Sequence, residues 1–311
     1  MEVERFSWFK TAFQLEGSVI PVIYKQVLGC GVFGVLVSIA YLLKFPVAQP
    51  IFATIVPSIV LGLLLVFRTN TAYERFWEGR RLWGSITINS TNLARQIWVA
   101  IAEIEPEDRE KKNSALRLIS AFAVATKLQL RLEPINAEIE ELVSQSQYAK
   151  LQTMNNPPLE IAVWISDYLQ QQANRKVLDP YYLPNLQNLI NSMVEGLMGC
   201  QRILKTPIPL AYAIHLKQLL LLYCLFLPFQ FVKELKIWTG PIVTLISFTV
   251  FGIEAIGIEI ENPFGYDAND LPLDTICASI KRNIEDLISL TPEDEAEGAS
   301  QICKDTVQAS V

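Results

Sequence analysis

The residues of this chain that could do chemistry gather in a few short stretches. The densest is FRTNTAYERFWEGRRLWG, residues 67–84. On a helix, Tyr73, Phe76, Trp77 and Trp83 share an aromatic side, and Glu74, Arg75, Glu78, Arg80 and Arg81 lie within ion-pairing reach of one another. Arg80 and Arg81 are suited to holding an anion, although a structural ion-pair network is the plainer expectation. A second stretch, ENPFGYDANDLPLD, spans residues 261–274. There Asn262, Asp267, Asp270 and Asp274 offer hard oxygen ligands on a bent loop, the donor type that calcium accepts. The spacing is not that of an EF-hand, and Asp270 or Asp274 would equally serve to cap the helix that follows. His215 and Lys217 stand at the start of an apolar run. They suit a proton relay, or a carbonyl-paired histidine beside a lysine that snorkels to a polar surface. Glu254, Glu259 and Glu261 are expected to pair with arginines of the long helix that follows the second apolar run.

Composition narrows the chemistry. The single histidine, His215, leaves no room for a histidine-rich metal centre or a Ser/His/Asp triad. The five cysteines, Cys30, Cys200, Cys224, Cys277 and Cys303, are scattered without a CxxC pair, which argues against a disulfide framework and a zinc site. No nucleophile–base pair or phosphate loop is present, so no enzyme is expected. Lys+Arg of 26 against Asp+Glu of 32 leaves a net charge of −6 and no basic surplus for nucleic acid.

The elements that position these residues are announced by hydropathy. Residues 27–43 and 45–67 are free of charge, as are 218–232, which extends upstream through IPLAYAIHLK, and 237–253. Each approaches the roughly 20 residues a helix needs to cross a bilayer. We therefore expect an all-α, multi-pass membrane protein with four transmembrane helices in two hairpins. The divisions are an N-terminal segment (1–26), a first hairpin (27–67), cytosolic helices (68–205), a second hairpin (206–260), an acidic loop with a C-terminal helix (261–290) and a mobile tail (291–311). Arg68, Arg75, Arg80, Arg81, Arg202 and Lys205 crowd the inner ends of these runs, so the termini and the central region are expected in the cytosol. The first residues carry two glutamates and no cleavage site, so no cleaved leader is expected.

Between the hairpins the pattern is helical. Thr69 or Asn70 is placed to cap a long helix ending before Glu105-Pro106. A second helix should begin near Pro106 and run to Glu133-Pro134, followed by helices near 135–148, 158–173 and 183–204. Strand signals are nearly absent. In the second apolar run Ile55, Ile59 and Leu63 recur every four residues and form one stripe, beside a small-residue stripe of Ser58 and Gly62 suited to close helix contact.

The stretches 67–84, TPIPLAYAIHLKQLLLLYCLFLPF (206–229) and 261–274, in this order and with the two-hairpin plan, resemble the bestrophins of the bacterial and plant-organelle branch. The resemblance covers nearly the whole chain to about residue 290. It implies an all-helical homopentameric ion channel in the bilayer with a pore on the fivefold axis. The second span would line a narrow neck at Ile55, Ile59 and Leu63, and Ile208 would form a cytosolic aperture. Animal members bind calcium in the loop after the fourth span, where Asn262, Asp267 and Asp270 match. Tyr266, Ala268 and Asn269 interrupt the acidic run, and Glu259 replaces an amide. Bacterial members lack calcium control, so no cofactor is expected to be required.

The expected activity is passive conduction of small monovalent anions, chloride above all, with nitrate or bicarbonate also carried. Arg80 and Arg81 are the candidate anion contacts at the cytosolic mouth. A monovalent cation channel of the same fold is the alternative, as is a membrane-anchored scaffold or regulatory protein. The expected location is a bacterial inner membrane or a thylakoid-type organelle membrane.

Overall fold

The computed structural model describes residues 13–49 and 55–290. The expected tail, residues 291–311, lies outside them, as do residues 1–12 and 50–54. Among the described residues, ten α-helices follow in order: α1 (Ile20–Leu42), α2 (Ile55–Ala100), α3 (Asp108–Leu130), α4 (Ala137–Glu140), α5 (Gln145–Leu151), α6 (Pro157–Asn174), α7 (Leu183–Lys205), α8 (Leu210–Leu235), α9 (Thr239–Glu259) and α10 (Leu273–Ile288). Among the described residues there is no strand, only an isolated antiparallel bridge between Ile101 and Leu178. The chain divides into two compact units, Met1–Arg80 with Ile203–Leu271 and Arg81–Arg202 with Pro272–Val311.

Among the described residues of the first unit, two stretches are long and apolar enough to cross a membrane, Ile20–Leu42 and Leu210–Glu259. The second holds α8 and α9, joined by a 3-10 turn at Lys236–Trp238 whose Lys236 takes a positive φ of 46°. The apolar start of α2 is shorter and continues without a break into charged residues, and the residues just before Ile55 lie outside the description. α1 and α9 run antiparallel, in contact through small residues. A Cβ on Gly34 would sit 3.0 Å from the Gly240 backbone, and one on Gly240 would sit 2.5 Å from Val35 Cγ2. Apolar solvent offers little hydrophobic drive between such helices, so close packing of small residues does the joining. Ser38 Oγ adds a polar tie, donating to Lys236 O at 3.0 Å. α2 packs on α8 through Leu61, Leu65, Leu216 and Leu220, all buried.

The second unit is built around α3. Nearly every residue from Ala115 to Leu130 is buried, and α6 and α10 pack on it. α10 shows why: Leu273, Cys277, Ile280 and Ile284 fall on one face at helical spacing and are all buried. Burial pushes the Cys277 thiol up to about 12, so it is a neutral packing group. A buried lysine lies beside this face. Lys127, 2% exposed, donates to Glu138 at 2.8 and 3.0 Å and to Asp274 at 2.9 Å. Arg131 reaches the same Asp274 at 2.9 Å. Burial alone would lower the Lys127 pKa; the hydrogen bonds it donates to Glu138 and Asp274 reverse that and raise it. Asp274 therefore does not cap α10. It sits in the first turn, where an acid suits the helix dipole, and turns to Lys127 and Arg131.

Two other sequence expectations are corrected. Neither Thr69 nor Asn70 begins a helix, because α2 is continuous from Ile55 to Ala100. Thr69 bonds back to Leu65 O at 2.9 Å, the alternative to capping for a hydroxyl inside a helix. The helix expected at 135–148 is two, since Ser144 opens a new one with a capping box to Gln147. Asp108 ties the entry to α3, accepting from the N–H groups of Ile104 and Glu105 at 3.1 and 3.0 Å and pairing with Arg175 at 2.8 Å. The Arg175 hydrogen bonds, then the backbone ones, hold its carboxyl well below the usual range.

Candidate functional site

The apolar stripe of α2 has two distinct sides. Leu61 and Leu65 are buried against α8, while Ile59 and Leu63 are each 52% exposed. α2 begins at Ile55, whose side chain lies outside the described residues. Among the described residues, the Ser58–Gly62 stripe makes no close helix contact at Gly62. A Cβ on Gly62 would meet nothing within 4 Å, and Ser58 makes only a long hydrogen bond to Tyr223 Oη at 3.5 Å.

The segment around Ile208 is shaped by its prolines. Pro207 and Pro209 cannot continue a helix, so α7 ends at Lys205 and α8 starts at Leu210. That interruption leaves backbone groups to be satisfied elsewhere. Arg75 supplies most of the answer. Its Nη2 donates to Ile203 O at 2.6 Å, its Nη1 to Thr206 O, and its Nε to Glu261 O at 3.1 Å. Glu261 satisfies one more, accepting the Ile208 N–H at 3.1 Å on Oε1, while its Oε2 accepts from Arg68 Nη2 at 3.3 Å. Arg68 and Arg75 are seven residues apart on α2, two turns, and so share one face. Ile208 itself is half-buried.

Arg75 therefore does not join a near-neighbour ion-pair network, because its guanidinium is spent on carbonyls of residues distant in sequence. Arg80 and Arg81 are exposed and make no ion pair among the described residues. His215 is exposed and, among the described residues, bonds no carbonyl; Lys217 is exposed as well. Glu261 meets an arginine of α2 as expected. Glu259 instead accepts from Asn269 Nδ2 at 3.2 Å, and the same amide donates to Gly17 O at 3.1 Å. Glu254 is buried.

In the acidic loop, Asp270 Oδ2 accepts the Asp267 N–H at 2.9 Å and Asn262 Oδ1 accepts the Phe264 N–H at 3.4 Å. A Cβ placed on Gly265 would fall 2.7 Å from Asp270 Oδ2 and 4.0 Å from Asn262 Nδ2, so a larger residue there would make the Asp270 carboxylate shift. Asn262 and Asp270 thus converge, and Asp270 spends one oxygen on the turn itself. Among the described residues no three His, Cys, Asp or Glu side chains gather as a metal group would.

Sequence reading missed Arg75 as a backbone clamp and Asn269 as a bridge. For Arg75 the available signal was the i, i+7 pairing of two arginines on one helix followed, far along the chain, by an interrupting Pro-Ile-Pro.

Among the described residues the chain is helical, with two stretches long and apolar enough to cross a membrane. Residues 1–286 match the family described as bacterial/fungal bestrophin protein, and the chain belongs to that family. It is 65% identical over 292 residues to a voltage-dependent anion channel-forming protein of Nostoc sp., covering 94% of this chain and 95% of that one. A protein of the same description from Synechocystis sp. is 54% identical over 285 residues, covering 92% and 93%. Among solved structures, a mutant bacterial bestrophin homologue from Klebsiella pneumoniae superposes with a TM-score of 0.78 at 26% identity, covering 86% of this chain and 99% of that one.

Proposed function

We propose that this chain forms a channel through which small monovalent anions pass passively, chloride first and nitrate or bicarbonate also. Four helices per subunit cross the membrane: α1, the apolar start of α2, α8 and α9. The termini and the intervening helices face the cytosol of a cell with this protein in its inner membrane. One subunit encloses no water path, so five copies surround a common axis. Ile55, Ile59 and Leu63 then stack as three apolar rings, the neck, and Ile208 forms a second constriction. The observation that carries this reading is the half-exposure of Ile59 and Leu63 on the side of α2 opposite its contact with α8. The names of the relatives support the ion class.

A narrow apolar ring holds water poorly, so the barrier there is lost hydration, and anions that shed water easily pass best. The exposed Arg80 and Arg81 raise the anion concentration at the inner mouth. Neither calcium nor any other cofactor takes part.

Purified protein in planar bilayers with asymmetric potassium chloride tests the reading. The reversal potential should follow chloride; a reversal at the potassium potential would make it a cation channel, and absence of current would favour a scaffold. Replacing Ile55, Ile59 and Leu63 together by Ala should widen the rings and raise conductance. Unchanged single-channel conductance in well-assembled protein would remove the stripe from the pore.

A further inference from the structure

We propose that Arg75 and Glu261 are positioning residues that set the Ile208 constriction, a role that rests on the aperture reading above. Residues 206–209 lie between α7 and α8 and contain two prolines; the Pro209 carbonyl opens α8 by accepting from the Tyr212 and Ala213 N–H groups at 3.0 and 3.3 Å, and the path of the residues before it is set by the side chains that grip them. The grip is two-ended. Arg75 holds the carbonyls of Ile203 and Thr206 at the end of α7, and Glu261 holds the N–H of Ile208 at 3.1 Å. The two holders are themselves joined, since Arg75 Nε donates to Glu261 O at 3.1 Å.

The chemistry requires these residue types. Three carbonyls at three corners match the fork of a guanidinium and not the point charge of a lysine. Both Glu261 oxygens are committed, Oε1 to Ile208 and Oε2 to Arg68. A glutamine offers one acceptor oxygen for two donors, so one of the two contacts is lost. The pair acts through Ile208 and touches no permeating ion, so its signature is a change in ion discrimination that survives when charge is conserved.

The experiment is bi-ionic recording of the thiocyanate-to-chloride permeability ratio, with melting temperature and elution volume measured on the same preparations. Ile208→Ala should shift the ratio. Arg75→Lys, which keeps the charge, should shift it in the same direction by about fivefold, the factor that one hydrogen bond's net free energy corresponds to. Adding Ile208→Ala to Arg75→Lys should then change little, because the two act through one constriction. Glu261→Gln is the second variant should Arg75→Lys fail to assemble, with the same expectation. A shift in Ile208→Ala with none in either assembled positioning variant, even if their melting temperatures fall, overturns the positioning role alone. An unchanged ratio in Ile208→Ala overturns the aperture reading and this proposal with it.

Discussion

Lys127 is 2% exposed, and its ammonium is neutralised by two carboxylates that are themselves largely in solvent, Glu138 at 51% and Asp274 at 61%. Replacing either acid by Ala leaves the other in place, and the loss is that of a half-exposed pair, about 1 kcal/mol. Replacing both strands a buried charge, which costs about 3–5 kcal/mol. The double variant should therefore lose more than the two single variants together. Lys127→Met, which removes the charge that needed neutralising, should stay within about 1–2 kcal/mol of the parent and should restore part of the loss in the double variant, the remainder being the Asp274–Arg131 pair. The assay is the apparent melting temperature of the detergent-solubilised protein, where each kcal/mol moves the midpoint by about 2–4 °C. Hydrogen exchange in α10, whose first turn Asp274 anchors, provides a local readout. Simple additivity, or no rescue by Lys127→Met, would refute the reasoning. The pH dependence follows from the directions of the shifts. Burial raises the Asp274 pKa but Lys127 and Arg131 carry it below the ordinary value, so its contribution is full above about pH 4 and disappears as pH falls through the depressed value. The Lys127 contribution is full below about pH 10.4 and disappears as pH rises through its raised value. The network should accordingly be indifferent to pH between those limits.

Leu132, 82% exposed with a φ of 59°, ends α3 in a Schellman turn in which the Glu133 N–H bonds Leu128 O at 2.9 Å. Leu132→Gly should stabilise by about 0.5–1 kcal/mol, read as a raised melting temperature. Gly240→Ala places a methyl 2.5 Å from Val35 Cγ2 and should cost about 1–3 kcal/mol, with partial relief from Val35→Ala, measured as yield of assembled protein. For the acidic loop, chelation should leave wild-type current unchanged, as should Asp267→Asn with Asp270→Asn. Current that vanishes on chelation and is silent in the double variant would establish a calcium requirement.

The sequence by itself determined the helices. Uncharged runs and 3.6-residue spacing are local properties, and they located α6, α8, α9 and α10 closely and the end of α1, though α1 starts at Ile20, seven residues before the uncharged run. The same signals marked Pro207 and Pro209 as a break between helices. What they could not decide is any choice whose outcome depends on a distant partner. Asp274 can cap α10 or neutralise a lysine, and only the packing of α10 on α3 brings Lys127 within 2.9 Å of it. Arg75 carries charge enough for a neighbouring glutamate, yet its donors go to carbonyls at positions 203, 206 and 261. Composition fixes which groups must be satisfied; tertiary structure decides by which partner, because hydrogen bonds are short-ranged and the partners lie more than a hundred residues away along the chain.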